Sequence, residues 1–132
     1  MEIKPDFTSF KQNYENGISQ VLSTALTADL DTPVSAFLKI ADGMPNTYLL
    51  ESVEGGAVRG RYSFLGLKPD LIWRCFGDRA ELNRRAMADA DAFVAEKDAP
   101  LESLKKLMAE SHITLPDNMP PMSAGLVGYM GY

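Results

Sequence analysis

Several residue types and patterns are scarce in the sequence, and each scarcity excludes a class of protein. One cysteine (Cys75) and one histidine (His112) stand among its 132 residues. A single cysteine excludes an internal disulfide framework and a multi-cysteine metal site made by this chain alone. No apolar run approaches the roughly 18 residues that a membrane span needs. The first twenty residues carry Glu2, Asp6 and Glu15 and lack the apolar centre of a signal peptide, so we expect a cytoplasmic protein with no membrane partner.

Positive charge is also scarce. The chain has 13 lysines and arginines against 18 aspartates and glutamates, which gives a net charge of −5 at pH 7. The sequence pI is about 4.8. Because basic residues supply most of the affinity for a phosphate backbone, we expect no nucleic-acid partner.

Catalytic and metal-binding patterns are missing from the sequence as well. His112 stands near a predicted helix end, where a lone histidine is more often a C-terminal charge or cap than a catalyst. Cys75 lies beside Trp73 and Phe76 in a strand pattern, which favours a buried structural thiol. With no Ser/His/Asp arrangement and no cluster of ligating side chains, we predict no catalytic residue, no metal ligand and no cofactor site in this chain.

What the chain does have is the composition of a globular protein, with 45% hydrophobic and 23% charged residues. Short apolar runs between glycine and proline turns are typical of antiparallel strands, and three stretches show helical spacing instead. The predicted fold class is therefore α+β, a mostly antiparallel sheet with a few packed helices. The predicted strands are 18–28, 47–53, 62–66, 71–76, 79–82 and 125–132, and the predicted helices are 7–14, 33–41 and 101–108; the stretch 83–98 favours neither.

Helix starts give the sharpest local signals. Asp6 precedes the first predicted helix as an N-cap, and Thr32 precedes the second, where Pro33 suits the first helical position. Glycines at 17 and 43 are placed to end these two helices. For the third helix, the spacing predicts one apolar face, made of Leu101, Leu104, Leu107 and Met108.

The last eight residues, G-L-V-G-Y-M-G-Y (125–132), are apolar to the end. Their glycine spacing is neither the dinucleotide fingerprint nor a P-loop, and it predicts close backbone approach within a sheet. Natural domains usually end in solvated residues, so we expect the chain to be a fragment of a longer protein. The alternative is an edge strand that simply ends there.

A polar pair, Glu51 and Ser52, interrupts the apolar run of the strand predicted over 47–53. Strand alternation puts Leu50 and Ser52 on one face and Glu51 on the other. A carboxylate among apolar neighbours is costly to bury unless it is paired, so Glu51 needs a cation, either Arg61 across the hairpin or the ammonium of a ligand. On residue chemistry alone, a Glu51–Arg61 cross-strand pair is favoured over a site for a zwitterionic amino acid with a large side chain.

Four motifs carry a resemblance to a known family. They are T-Y-L-L-E-S-V-E-G-G (47–56), G-R-Y-S-F-L-G-L-K-P (60–69), L-P-D-N-M-P-P-M (115–122) and the closing 125–132. In this order and spacing they resemble the N-terminal region of anthranilate synthase component I, from about Thr32 to the end of the chain. The resemblance implies that residues 1–132 are the N-terminal regulatory region of such an enzyme, without its C-terminal chorismate-binding catalytic domain.

The family's chemistry follows only from this resemblance. The whole protein would be a lyase of tryptophan biosynthesis that converts chorismate to anthranilate and pyruvate. It would use Mg²⁺ in its own catalytic domain and ammonia from a glutamine amidotransferase subunit, component II. This chain alone would be inactive and would hold no cofactor.

The resemblance also implies an allosteric site for L-tryptophan, the feedback inhibitor. Leu50, Glu51 and Ser52 match the segment that helps form it, with Ser52 foremost, while Arg61 and Ser63 on the facing strand line or support it. The absent domain would complete the pocket. Two alternatives stay open: the equivalent region of aminodeoxychorismate synthase component I, of the folate pathway, and a free-standing amino-acid-binding regulatory module.

Overall fold

A computed structural model describes residues 2–51, 62–117, 119–120 and 122–131. The chain divides into two compact units, one formed by residues 1–29 with 108–132 and the other by residues 30–107. Helices and small antiparallel sheets make up both, which confirms the predicted α+β class. No helix in the described part of the chain is long and apolar enough to cross a membrane.

In the first unit, strand β1 (Ile3–Lys4) pairs antiparallel with β2 (Ser23–Thr24), and helix α1 (Phe7–Glu15) lies between them in sequence. Asp6 is the N-cap that the sequence predicts. Its carboxylate accepts hydrogen bonds from the backbone N–H of Thr8 at 3.0 Å and of Ser9 at 3.2 Å. These bonds satisfy donors that have no partner within the helix, so local chemistry fixes where α1 begins.

Two strand predictions in this unit are wrong. The strand predicted over 18–28 shrinks to the two residues of β2, because β1 offers only two residues to pair with. The described residues of the strand predicted over 125–132, namely 125–131, form no strand. An apolar segment makes a strand only where a neighbouring strand pairs with its backbone groups, and none of the described strands pairs with this segment.

In the second unit, helix α2 (Pro33–Ile40) packs against a hairpin of β3 (Tyr48–Glu51) and β4 (Ser63–Gly66). Thr32 caps α2 in a reciprocal box: the Thr32 hydroxyl accepts from the Ser35 backbone N–H at 3.1 Å, and the Ser35 hydroxyl accepts from the Thr32 N–H at 2.9 Å. Ala41, just past the helix, is 5% exposed. The cap therefore fixes where α2 begins, and the chain is buried at Ala41, where the helix has ended.

A three-stranded sheet completes the second unit. Its order is β5 (Ile72–Phe76), β6 (Arg79–Asn83) and β7 (Val94–Ala95), all antiparallel. Because β6 is central, it supplies buried residues: Ala80, Leu82 and Asn83. The hairpin predicted over 71–82 is confirmed, whereas the two-residue β7 lies in the stretch that the sequence left unassigned.

Helix α3 (Pro100–Glu110) buries a face that differs from the predicted one. Leu107 is 1% exposed as expected, but Leu101 and Met108 are 64% and 59% exposed, and Ser103 is buried instead. Ser103 is buried because its hydroxyl accepts a hydrogen bond from the Trp73 indole N–H at 3.0 Å and donates one to a Glu96 carboxylate oxygen at 3.0 Å. A satisfied polar residue thus occupies a position where spacing alone predicts a solvated one.

Candidate functional site

The β3–β4 hairpin holds those predicted site residues that the structure describes. Its register pairs Tyr48 with Gly66, Leu50 with Phe64, and Glu51 with Ser63. Successive side chains in a strand point to opposite faces. Leu50 and Phe64 therefore share one face with Tyr48, while Glu51 and Ser63 share the other.

Glu51 and Ser63 face each other at the last described residue pair of the hairpin. Both residues are exposed to solvent. The predicted Glu51–Arg61 pair assumed a buried carboxylate, whereas Glu51 is exposed. Because Arg61 lies outside the described residues, the pair itself stays a prediction. An exposed carboxylate keeps its hydration, so burial does not force Glu51 to have a cationic partner.

The opposite face of the hairpin is apolar and partly open. Leu50 is 41% exposed, and Phe64 across from it is half-buried. The Phe64 ring lies 6.1 Å from the ring of Tyr62, measured between centroids, with the planes tilted by 46°. This face therefore presents aliphatic and aromatic surface of the kind that binds large apolar side chains.

The remaining predicted residues, Ser52 and Arg61, lie outside the described residues. Of those described, the structure brings Glu51 and Ser63 together and directs Leu50 to the other face. A ligand that touches both Leu50 and Glu51 must therefore reach around the edge or the end of β3. It cannot lie flat on one face of the hairpin and contact both.

Sequence reasoning missed a close contact at the other end of this hairpin. The Tyr48 ring lies against the backbone of Gly66, so closely that a Cβ atom built on Gly66 would overlap the Cε1, Cζ and Cδ1 atoms of the ring. Glycine in a strand often marks such a close approach, and an aromatic residue three places before the polar pair is the signal that could have found it. The contact fixes how β3 lies on β4.

The structure also describes the histidine and the cysteine, the two other side chains considered as reactive groups. His112 is exposed. Cys75 is half-buried, and its thiol donates a hydrogen bond to the Gly77 carbonyl oxygen at 3.2 Å, so it is less enclosed than the sequence predicts. Among residues 2–51, 62–117, 119–120 and 122–131, no group of three or more His, Cys, Asp or Glu side chains is arranged to hold a metal ion.

Comparison with known proteins finds relatives named anthranilate synthase component 1. The chain is 51% identical over 126 residues to anthranilate synthase component 1 of Cereibacter sphaeroides, a match that covers 96% of this chain and 25% of the relative. It is 40% identical over 118 residues to the Pseudomonas aeruginosa protein of the same name, covering 84% of this chain and 22% of that protein. The Synechocystis protein of that name is 36% identical over 131 residues, covering 98% and 25%.

No family model matches the chain, and no solved structure matches it significantly. The family predicted from the motifs is nevertheless confirmed by these relatives. By this similarity the chain belongs to the anthranilate synthase component 1 family, and it spans about a quarter of the length of those relatives.

Proposed function

We propose that the chain is the N-terminal regulatory region of an anthranilate synthase large component and contributes part of a feedback site for tryptophan. The observation that supports the assignment to an anthranilate synthase large component is the similarity to proteins of that name over almost the whole chain. The tryptophan site is supported by the motif resemblance and by the exposed end of the β3–β4 hairpin.

The whole protein would make anthranilate and pyruvate from chorismate, with ammonia supplied by a glutamine amidotransferase subunit. The Mg²⁺ ion and the reacting groups would belong to a catalytic domain outside this chain. The residues described here are therefore assigned no catalytic step, and the chain alone is expected to be inactive.

The chemistry of the hairpin end suits a zwitterionic amino acid with a large ring. Glu51 offers an exposed carboxylate to the ammonium group, and Ser63 and Ser52 offer hydroxyls that both donate and accept. Leu50 offers apolar surface for the ring. Because Leu50 and Glu51 project from opposite faces, the ligand would sit at the end of β3, where Ser52 follows, and residues beyond this chain would close the pocket.

Feedback then follows from a shared site. A ligand that touches this region and the catalytic domain together stabilises the arrangement of the two that it fits best. Binding therefore shifts the population of that arrangement, and the reaction responds at a distance.

The test is Ser52→Phe in the full-length protein with its amidotransferase subunit. We expect the tryptophan inhibition constant to rise about tenfold or more, a typical size for an allosteric coupling, while turnover without tryptophan is retained. Thr27→Phe is the matched control, because it makes the same kind of change at an exposed residue of the other unit. Unchanged inhibition in Ser52→Phe would contradict the assignment.

The same assay separates the alternatives. The name shared by the relatives favours anthranilate as the product over aminodeoxychorismate. Product analysis by chromatography distinguishes the two compounds directly. A full-length protein that binds tryptophan and makes neither product would instead support a free-standing regulatory module.

A further inference from the structure

Tyr48 and Gly66 form a close cross-strand contact at the end of the hairpin away from Glu51. They are direct partners in the register, and the ring lies where a side chain on residue 66 would have to be. Tyr48 is only half-buried, so burial alone does not hold its ring in this place. The missing side chain of Gly66 is what makes room for the ring.

The register of this hairpin needs a contact that fixes it. Each strand has four paired residues, and a two-stranded ribbon of that length is marginally stable by itself. A slip by one residue would turn every side chain of a strand to the other face. Glu51 would then lose Ser63 as its partner and point where Leu50 now points.

Gly66 selects one register among these. Moving β4 by one or two residues in either direction would bring Leu65, Phe64, Leu67 or Lys68 opposite Tyr48. Each of these carries a side chain where the tyrosine ring now lies, and only position 66 leaves that space open. The aromatic ring in turn covers backbone that a glycine leaves bare, a pairing known to stabilise strands at glycine positions.

We propose that Tyr48 on Gly66 is a positioning device for the tryptophan site, which sets the register that holds Glu51 opposite Ser63. This inference rests on the proposed function, since it concerns the same site. Neither residue touches the ligand. They act through the strand, at a distance of three residues from the carboxylate.

The test uses the full-length protein with its amidotransferase subunit and three single variants: Gly66→Ala, Tyr48→Ala and Tyr48→Phe. We expect the first two to raise the tryptophan inhibition constant about tenfold while kcat and KM for chorismate without tryptophan stay unchanged. Tyr48→Phe keeps the ring and is expected to retain normal inhibition. A merely structural role would lower the thermal midpoint and leave the inhibition constant where it was.

The double variant Gly66→Ala/Tyr48→Ala gives a further readout. The two changes remove one contact, so the double variant is expected to be no worse than either single variant, rather than showing the product of their effects. If Gly66→Ala does not fold, Tyr48→Ala carries the test, because it introduces no overlap.

Ser52→Phe is measured in parallel to separate the two proposals. Weakened inhibition in Ser52→Phe with normal inhibition in both Gly66→Ala and Tyr48→Ala would overturn the positioning role and leave the tryptophan site standing. A wild-type protein that tryptophan does not inhibit would overturn both.

Discussion

Trp73 donates its indole N–H to the hydroxyl of Ser103, 3.0 Å away and 30 residues later in the chain. Ser103 is 2% exposed, and its hydroxyl donates a hydrogen bond to a Glu96 carboxylate oxygen. One buried hydroxyl thus joins β5, helix α3 and the residue after β7. In such a row of hydrogen bonds each group depends on the next. Leaving a buried donor or acceptor without a partner costs more free energy than a satisfied hydrogen bond contributes.

Replacing Ser103 by alanine should therefore loosen α3. We expect a loss of about 1–3 kcal/mol in local stability, because both Trp73 and Glu96 lose a partner. Hydrogen exchange of the α3 and β5 backbone amides in the full-length protein measures this directly. Ser111→Ala, outside the bonded group, is the matched control, and equal exchange in the two variants would contradict the prediction.

The side chain of Asn83 forms hydrogen bonds with the backbone of the stretch that follows β6. Its side chain is fully buried, donates to the Asp89 carbonyl oxygen at 2.7 Å and accepts from the Arg85 backbone N–H at 2.8 Å. Asn83→Ala removes both bonds and should cost about 1–3 kcal/mol. Asn83→Asp keeps the acceptor but sets a carboxylate against the Asp89 carbonyl, so it should cost more. Faster exchange of amides 84–92 is the expected signal, and an Asp variant as stable as wild type would be the contrary one.

The N-cap of α2 is testable by a conservative pair of changes. Thr32→Ala removes the hydroxyl that accepts from the Ser35 N–H and should destabilise the helix by about 1 kcal/mol. Thr32→Ser keeps the hydroxyl and should be close to wild type. Thermal unfolding and exchange of the first-turn amides of α2 report the difference, and similar behaviour of the two variants would argue against the cap.

Acid should weaken the same helix through Asp31. A 2.6 Å hydrogen bond from the Lys39 ammonium, aided by the Ser35 hydroxyl at 2.9 Å, lowers the pKa of the Asp31 carboxyl below its ordinary value of 3.8. A group whose pKa is lower in the folded state stabilises the fold above its unfolded pKa and loses that effect as pH falls through the folded pKa. Carbon-detected NMR titration of Asp31 should show the lowered pKa, and Lys39→Met should raise it. A titration that is the same in both proteins would rule out the pair.

Glu51 offers a direct test of ammonium recognition. Glu51→Gln keeps the shape and removes the charge, so tryptophan inhibition of the full-length protein should weaken about tenfold, which is roughly 1.4 kcal/mol. Glu102→Gln, an exposed glutamate on α3 paired with Lys105 at 2.8 Å, is the matched control. Indole-3-propionate lacks the amino group, so its weaker binding should be the same in Glu51→Gln and wild type. A loss for both ligands would point to a distorted hairpin instead.

Local chemistry is what the sequence predicts well. Asp6 and Thr32 begin their helices as expected because a cap needs only residues two or three places away. The hairpin over 72–83 follows for a similar reason, since Gly77 takes a φ of +62° in the turn and alternation fixes both strands. The family motifs likewise lie within continuous short stretches.

Features that depend on distant partners escape such reasoning. Ser103 is buried because of Trp73, thirty residues earlier, and helical spacing contains no trace of that bond. Residues 125–131 have the apolar character of a buried strand but no neighbour among the described strands. For the candidate site, alternation correctly separates Leu50 from Glu51, yet the exposure of Glu51 depends on what packs around the hairpin.

The separation of Leu50 and Glu51 onto opposite faces of β3 has a practical consequence for protein engineering. Substitutions at Leu50 and Phe64 alter the size and shape of the apolar surface without redirecting the carboxylate. Substitutions at Glu51 and Ser63 alter the charge without reshaping that surface. On the proposed function, variants that respond to a different amino acid could therefore be selected in two independent libraries, one for each face of a single short hairpin.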